Sequence, residues 1–181
     1  GGGYSDYGAV FHEVGHGLHT GFTEPSLDFE YRWMGDKSLS EGYATLLDHL
    51  IYDAKWLRKF LKMEDAKRYL DFQFLGQLDT LRTSKALLTY EIRLHTEGPD
   101  GMDEVYQNIF EKAYKHKIDK NEYLMRDDWF YCAQYLRSYF FEAQLRAVLK
   151  ETFGEEWFSD PRAGGFLKEL WSAGGRYDVE E

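Results

Sequence analysis

Five consecutive residues, His12-Glu13-Val14-Gly15-His16, constrain this chain more than any other stretch. On a helix, two His four residues apart share one face, a turn apart. Their imidazoles then converge on one ion, and zinc is the ion this spacing suits. Glu13 sits about 100° round the helix from His12. That keeps it near the metal without making it a ligand, which is the position of a general base acting on water. His12 and His16 are therefore expected as metal ligands and Glu13 as the catalytic base.

The flanks support a helix. Ser5 or Asp6 offers a start and Gly21 an end. Phe11, Val14 and Leu18 form an apolar stripe roughly opposite the two His, so one side is expected to be buried and the other to present the metal. Gly15 and Gly17 lower helix propensity, which a close neighbour, either backbone or substrate, would explain. His19 continues the face of the two His, as a fourth polar group at the site or as a packed or solvated residue.

A hydrolytic zinc site needs a third protein ligand and an open fourth position. Residues 36–48, DKSLSEGYATLLD, supply the candidate. Their centre, residues 40–44, opens a second amphipathic helix. Tyr43, Leu46, Leu47, Leu50 and Ile51 cover one broad side; Glu41, Thr45, Asp48 and Tyr52 line the other. Glu41 is expected as third ligand, with Asp48 placed to orient a ligand His from behind. The competing reading of Glu41 is a capping-box partner for Ser38.

HExxH followed by a helical Glu about 25 residues after the second His resembles the gluzincin metallopeptidases. The extended form HEVGHGLH is similar to the motif of the thimet oligopeptidase and oligoendopeptidase F family. SEGYA resembles the third-ligand helix of that family and of its relative, angiotensin-converting enzyme. The resemblance implies a mostly α, zincin-like peptidase that cuts short peptides in a deep cleft. It carries His12, His16 and Glu41 over as zinc ligands and Glu13 as base. The two zinc segments are specific; the likeness elsewhere is weaker.

Near the end of the chain, residues 127–153 read as a helix capped by Asp127 or Asp128. Tyr131, Tyr135, Ser138 and Glu142 share one of its faces. Tyrosine hydroxyls in a zinc cleft stabilise the oxyanion formed when water adds to a carbonyl. The resembled family has tyrosines here, written roughly Tyr-x-x-x-Tyr-x-x-Tyr. Tyr131 and Tyr135 match the first two; the third place is Ser138, with Tyr139 one residue late. The resemblance thus makes Tyr131 and Tyr135 catalytic candidates, against the alternative of an aromatic helix packed in a core. Arg137 points roughly 140° away from the tyrosine face and is not assigned to the site.

Between these motifs, residues 21–37 lack helical period, and Phe29, Tyr31 and Trp33 alternate as in a short strand or packed loop. Residues 55–96 read as two helices, started by Asp53 and broken near Asp65, the second long. His95 and His116 read as surface residues. After a turn at residues 97–101, residues 102–117 form an amphipathic helix with Val105, Ile109, Phe110 and Ala113 inward, and 115–120 are solvated. A last helix starts at Pro161, ends at Gly174-Gly175 and packs Phe166, Leu167, Leu170 and Trp171.

At 181 residues the chain is read as one helical catalytic domain, 1–181. Its net charge of −10 argues against nucleic acid or an anionic membrane as partner. One cysteine, Cys132, excludes an internal disulfide and fits a reducing, cytoplasmic compartment. No apolar run approaches transmembrane length, and no signal peptide is visible. Gly1-Gly2-Gly3 lies only a few residues before the zinc helix, whereas resembled peptidases are much longer. The expectation is a fragment whose substrate is a peptide and whose partner is the upstream part of the same enzyme or a second copy. The alternative from another class is a helical module that binds zinc or peptide without turnover.

Overall fold

In a computed structural model, residues 3–124 and 130–181 are described. Eight α-helices follow one another among them: α1 (Tyr4–Phe22), α2 (Phe29–Trp33), α3 (Lys37–Asp48), α4 (Ala54–Leu61), α5 (Lys67–Glu97), α6 (Met102–Tyr114), α7 (Tyr131–Phe153) and α8 (Pro161–Ser172). No strand occurs among the described residues, so the chain is mostly α. None of these helices is long and apolar enough to cross a membrane.

Side-chain caps explain several starts. Asp36 accepts from the Ser38 amide at 2.9 Å, Asp53 from the amides of Lys55 and Trp56 at 2.8 and 3.0 Å, and Asp160 from that of Arg162 at 2.9 Å. Pro161 follows in the first turn of α8, where a missing N–H costs nothing. Asp65 accepts from Lys67 at the head of α5. Left-handed Lys62 and Lys115 end α4 and α6, so α6 stops at Tyr114, short of Lys117. Asp127 and Asp128, read as caps of α7, lie outside the described residues.

Several readings of the sequence are corrected. Residues 29–33 form helix α2, not a strand or loop. Their backbone is satisfied locally, by bonds from Tyr31 and Arg32 to Asp28 and from Met34 to Glu30, without a sheet neighbour. The alternating Phe29, Tyr31 and Trp33 are all exposed, so they mark no buried strand face. Helix α1 starts at Tyr4, ahead of Asp6, and runs past Gly21 to Phe22. The Ser38–Glu41 capping box does not form, because Asp36 is the cap and Ser38 lies inside the helix. The helix from Lys37 also stops at Asp48, and a 3-10 turn, His49–Tyr52, carries Leu50 and Ile51.

The chain divides into two compact units, residues 1–71 with 137–181, and residues 72–136. In the first, α1 lies along α3. A Cβ on Gly15 would stand 2.5 Å from the Ala44 Cα, so glycine is what lets these two backbones touch. The buried face of α1 therefore runs through Gly15 and His19, and Val14, placed on the buried stripe by the sequence reading, is 44% exposed. Phe11 and Leu18 do pack inward. One core joins Leu39, Tyr43 and Leu46 of α3 to Leu145 and Leu149 of α7 and to Leu167 and Trp171 of α8. A second gathers Ile51, Trp56, Leu57 and Ala66. Fully burying a leucine such as Leu46 or Leu149 contributes roughly 1.5–3 kcal/mol. The other unit has its own cluster, Ala86, Tyr90, Met102, Tyr106 and Phe110, and the Tyr90 hydroxyl donates to the Tyr123 carbonyl at 2.9 Å.

Candidate metal centre

Helices α1 and α3 bring His12, His16 and Glu41 together, with one ligand atom from each within 4.8 Å of the others. The spacing of four within α1 aligns the two imidazoles, and the Gly15–Ala44 contact brings Glu41 up to them. His12 Nε2 and His16 Nε2 are 3.2 Å apart, and Glu41 Oε2 lies 3.3 Å from the first and 3.7 Å from the second. A tetrahedral zinc ion with bonds of about 2.0–2.1 Å needs ligand–ligand edges of about 3.3–3.4 Å. Two edges lie close to that value and the third is longer at 3.7 Å, so the residues fit, with a small adjustment, the metal that the motif implies.

The other nitrogens are fixed from behind. His12 Nδ1 bonds Asp48 Oδ2 at 3.0 Å, and His16 Nδ1 bonds Ser40 Oγ at 2.9 Å. The carboxylate of Asp48 can only accept while ionised, so His12 carries a proton on Nδ1, whereas the Ser40 hydroxyl can accept from or donate to His16 Nδ1. His12 Nε2, His16 Nε2 and a carboxylate oxygen then face one point, an arrangement that favours a cation. The hydrogen bond to Asp48, helped by Glu41, pushes the His12 pKa up to about 10, which shows how strongly this position favours positive charge.

Behind Asp48 lies a further charged layer. His49 Nδ1 is 3.8 Å from Asp48 Oδ1 and 3.7 Å from Glu142 Oε2, and Arg146 Nε donates to Glu142 at 2.6 Å. Glu142 is fully buried, so this pairing is what makes its charge tolerable there. Neither this layer nor the Ser40 bond was read from sequence. Ser40 precedes Glu41, which was the available hint; the His49–Glu142 approach joins residues 93 apart and had no local signal.

Glu13 is exposed on α1 beside His12. His19 is 8% exposed, with Nε2 3.3 Å from the Gly174 carbonyl and its ring tilted on Tyr43. Burial lowers its pKa, and it is a packed residue outside the metal cluster. Tyr131 and Tyr135 form an edge-to-face pair with centroids 4.9 Å apart and belong to the second unit, whereas the metal-cluster residues belong to the first. Ser138 is fully buried. Arg137, unassigned in the sequence reading, pairs with Asp36 at 2.9 Å and with Glu180.

Compared with models of known families, with curated proteins and with solved structures, the chain matches none.

Proposed function

We propose that the protein is a zinc-dependent, zincin-like peptidase that hydrolyses peptide bonds in short peptides. The observation that carries this reading is the close triangle of His12 Nε2, His16 Nε2 and Glu41 Oε2, with Asp48 and Ser40 hydrogen-bonded to the two imidazoles from behind. Three protein ligands leave a fourth position open, which separates catalytic from structural zinc sites.

When bound, zinc supplies Lewis acidity that polarises a carbonyl and acidifies water. The chain's own residues do the rest. His12, His16 and Glu41 hold the ion, and Asp48 keeps the His12 Nε2 lone pair aimed at it. The Glu13 carboxylate takes the proton of the water that adds to the carbonyl carbon, then delivers it to the amine nitrogen as the C–N bond breaks. The resemblance alone makes Tyr131 and Tyr135 candidates to donate to the oxygen that gains charge. A second reading, binding without turnover, draws on Ser138, a fully buried serine where the resembled pattern has its third tyrosine.

The test begins with metal analysis. One zinc per chain is expected, lost in His12→Ala, His16→Ala and Glu41→Ala; zinc retained by Glu41→Ala would remove it from the site. Wild-type protein should turn over a mixed peptide library. Glu13→Gln should keep zinc and lose about 10²–10⁴ in rate, because an amide cannot accept the proton. Full zinc without wild-type turnover would establish the second reading instead.

A further inference from the structure

A cavity of about 110 Å³ lies beyond His16, lined among others by Thr20, Thr23, Tyr31, Arg32, Lys37 and Ser40. We propose that it is a specificity subsite that receives a carboxylate of the peptide substrate, either an Asp or Glu side chain or a free C-terminus. The proposal rests on the peptidase reading and adds the substrate class.

Position comes first. His12, His16 and Thr20 follow at steps of four along one face of α1, so Thr20 lies about 6 Å beyond His16 at 1.5 Å per residue. An extended peptide advances about 3.3 Å per residue. A substrate lying along α1 therefore reaches the cavity about two residues from its scissile bond. Ser40 joins the two places. Its Oγ is hydrogen-bonded to His16 Nδ1 at 2.9 Å and also lines the cavity; with His16 Nε2 given to the metal, Nδ1–H donates to Oγ and the hydroxyl proton is left to donate into the cavity.

Size and charge select the occupant. The cavity is large enough to hold waters and to admit the end of one side chain. Arg32 and Lys37 bring two cations. Asp36, the one carboxylate among the described lining residues, is already engaged, since it accepts from the Ser38 amide and pairs with Arg137. Neither Arg32 nor Lys37 has an acidic partner within 4.0 Å among the described residues, and the Arg32 guanidinium rests over the Trp33 ring at 5.5 Å. Guanidinium and ammonium groups beside hydroxyl donors make a carboxylate site, whereas an apolar side chain would leave both cations and the Ser40 proton unsatisfied. The chain's net charge of −10 works against acidic peptides at long range, so any preference for them must be local.

The experiment uses short peptides in which one Glu, or Gln as control, is moved through each position, with C-termini as free acid or amide. Binding to zinc-loaded Glu13→Gln protein is measured by calorimetry, and turnover by wild type in parallel. At one position, or with the free acid, binding should be tighter than for the neutral control by about tenfold, as one charge-assisted hydrogen bond at a part-exposed site supplies. A preference lost on amidation identifies the terminal carboxylate as its source; one that follows the Glu identifies the side chain. The preference should fall below about twofold in Arg32→Ala/Lys37→Ala and reverse in Arg32→Glu/Lys37→Glu, two exposed substitutions that leave the core intact. No preference at any position, no peptide binding, or a preference that survives both double variants would overturn the subsite. Turnover without charge preference overturns the subsite and leaves the peptidase reading standing. Charge-dependent binding without wild-type turnover does the opposite.

Discussion

Two hydrogen bonds hold the histidines of the cluster from behind, so their loss is expected to act on metal affinity before it acts on the fold. Asp48→Asn keeps an oxygen acceptor for His12 but removes a charge, and it should weaken zinc binding by about 10–100-fold in competition with a chelator. Unchanged affinity would remove Asp48 from the site's support. Cys132 makes a prediction of a different kind. It is buried and donates to Glu91 at 2.9 Å. Burial, then the hydrogen bond to Glu91, pushes its thiol up to about 12. The folded thiol thus stays neutral where the unfolded one, near 8.5, ionises. An acid raised in this way stabilises the fold below the unfolded value and loses that contribution as pH rises through about 8.5 towards 12. Wild-type stability relative to Cys132→Ala should therefore fall over that range in denaturant titrations, and alkylation at pH 8 should be slow until the chain unfolds.

Helices α1 and α3 show how one glycine sets the distance between two ligand-bearing elements. Gly15→Ala gains roughly 1 kcal/mol of helix propensity. Its new Cβ would meet Ala44 backbone at 2.5 Å, which cannot swing aside, and overpacking of this kind costs about 1–3 kcal/mol. The variant should be less stable and bind zinc more weakly, because the separation of Glu41 from the two His widens. Gly17 has nothing within 4 Å of a built Cβ, so Gly17→Ala should leave stability unchanged or raise it by up to about 1 kcal/mol. Equal melting shifts in the two variants would contradict the close crossing. The sequence reading anticipated a close neighbour for these glycines; which glycine had one, and that it was backbone, depended on how α3 crosses.

At the scale of the molecule, α5 exposes a run of apolar side chains. Phe72, Phe74, Leu75 and Leu78 are 72, 59, 62 and 43% exposed. Exposed apolar patches promote association. Self-association that rises with concentration is expected in sedimentation velocity, and Phe74→Glu/Leu78→Glu should reduce it without unfolding a chain in which neither side chain is buried. A monodisperse monomer across a wide concentration range would count against this.

Local pattern determined what depends on neighbours a few residues away. The His12–His16 pair, the cap at Asp53, Pro161 in the first turn of α8 and the helical class follow from spacing and capping chemistry, because both ends of each interaction lie within about one helical turn. Glu41 was picked out by its place downstream of HExxH and Asp48 by helical spacing, yet their approach to the two His is a contact between elements. Tertiary structure alone decided that Val14 faces outward while Gly15 faces in, and that Ser40 holds His16. It also decided that Glu142 sits behind Asp48 through His49. Each of these depends on which surfaces meet when α1, α3 and α7 pack, and the 3.6-residue period fixes a helix's faces without fixing their partners.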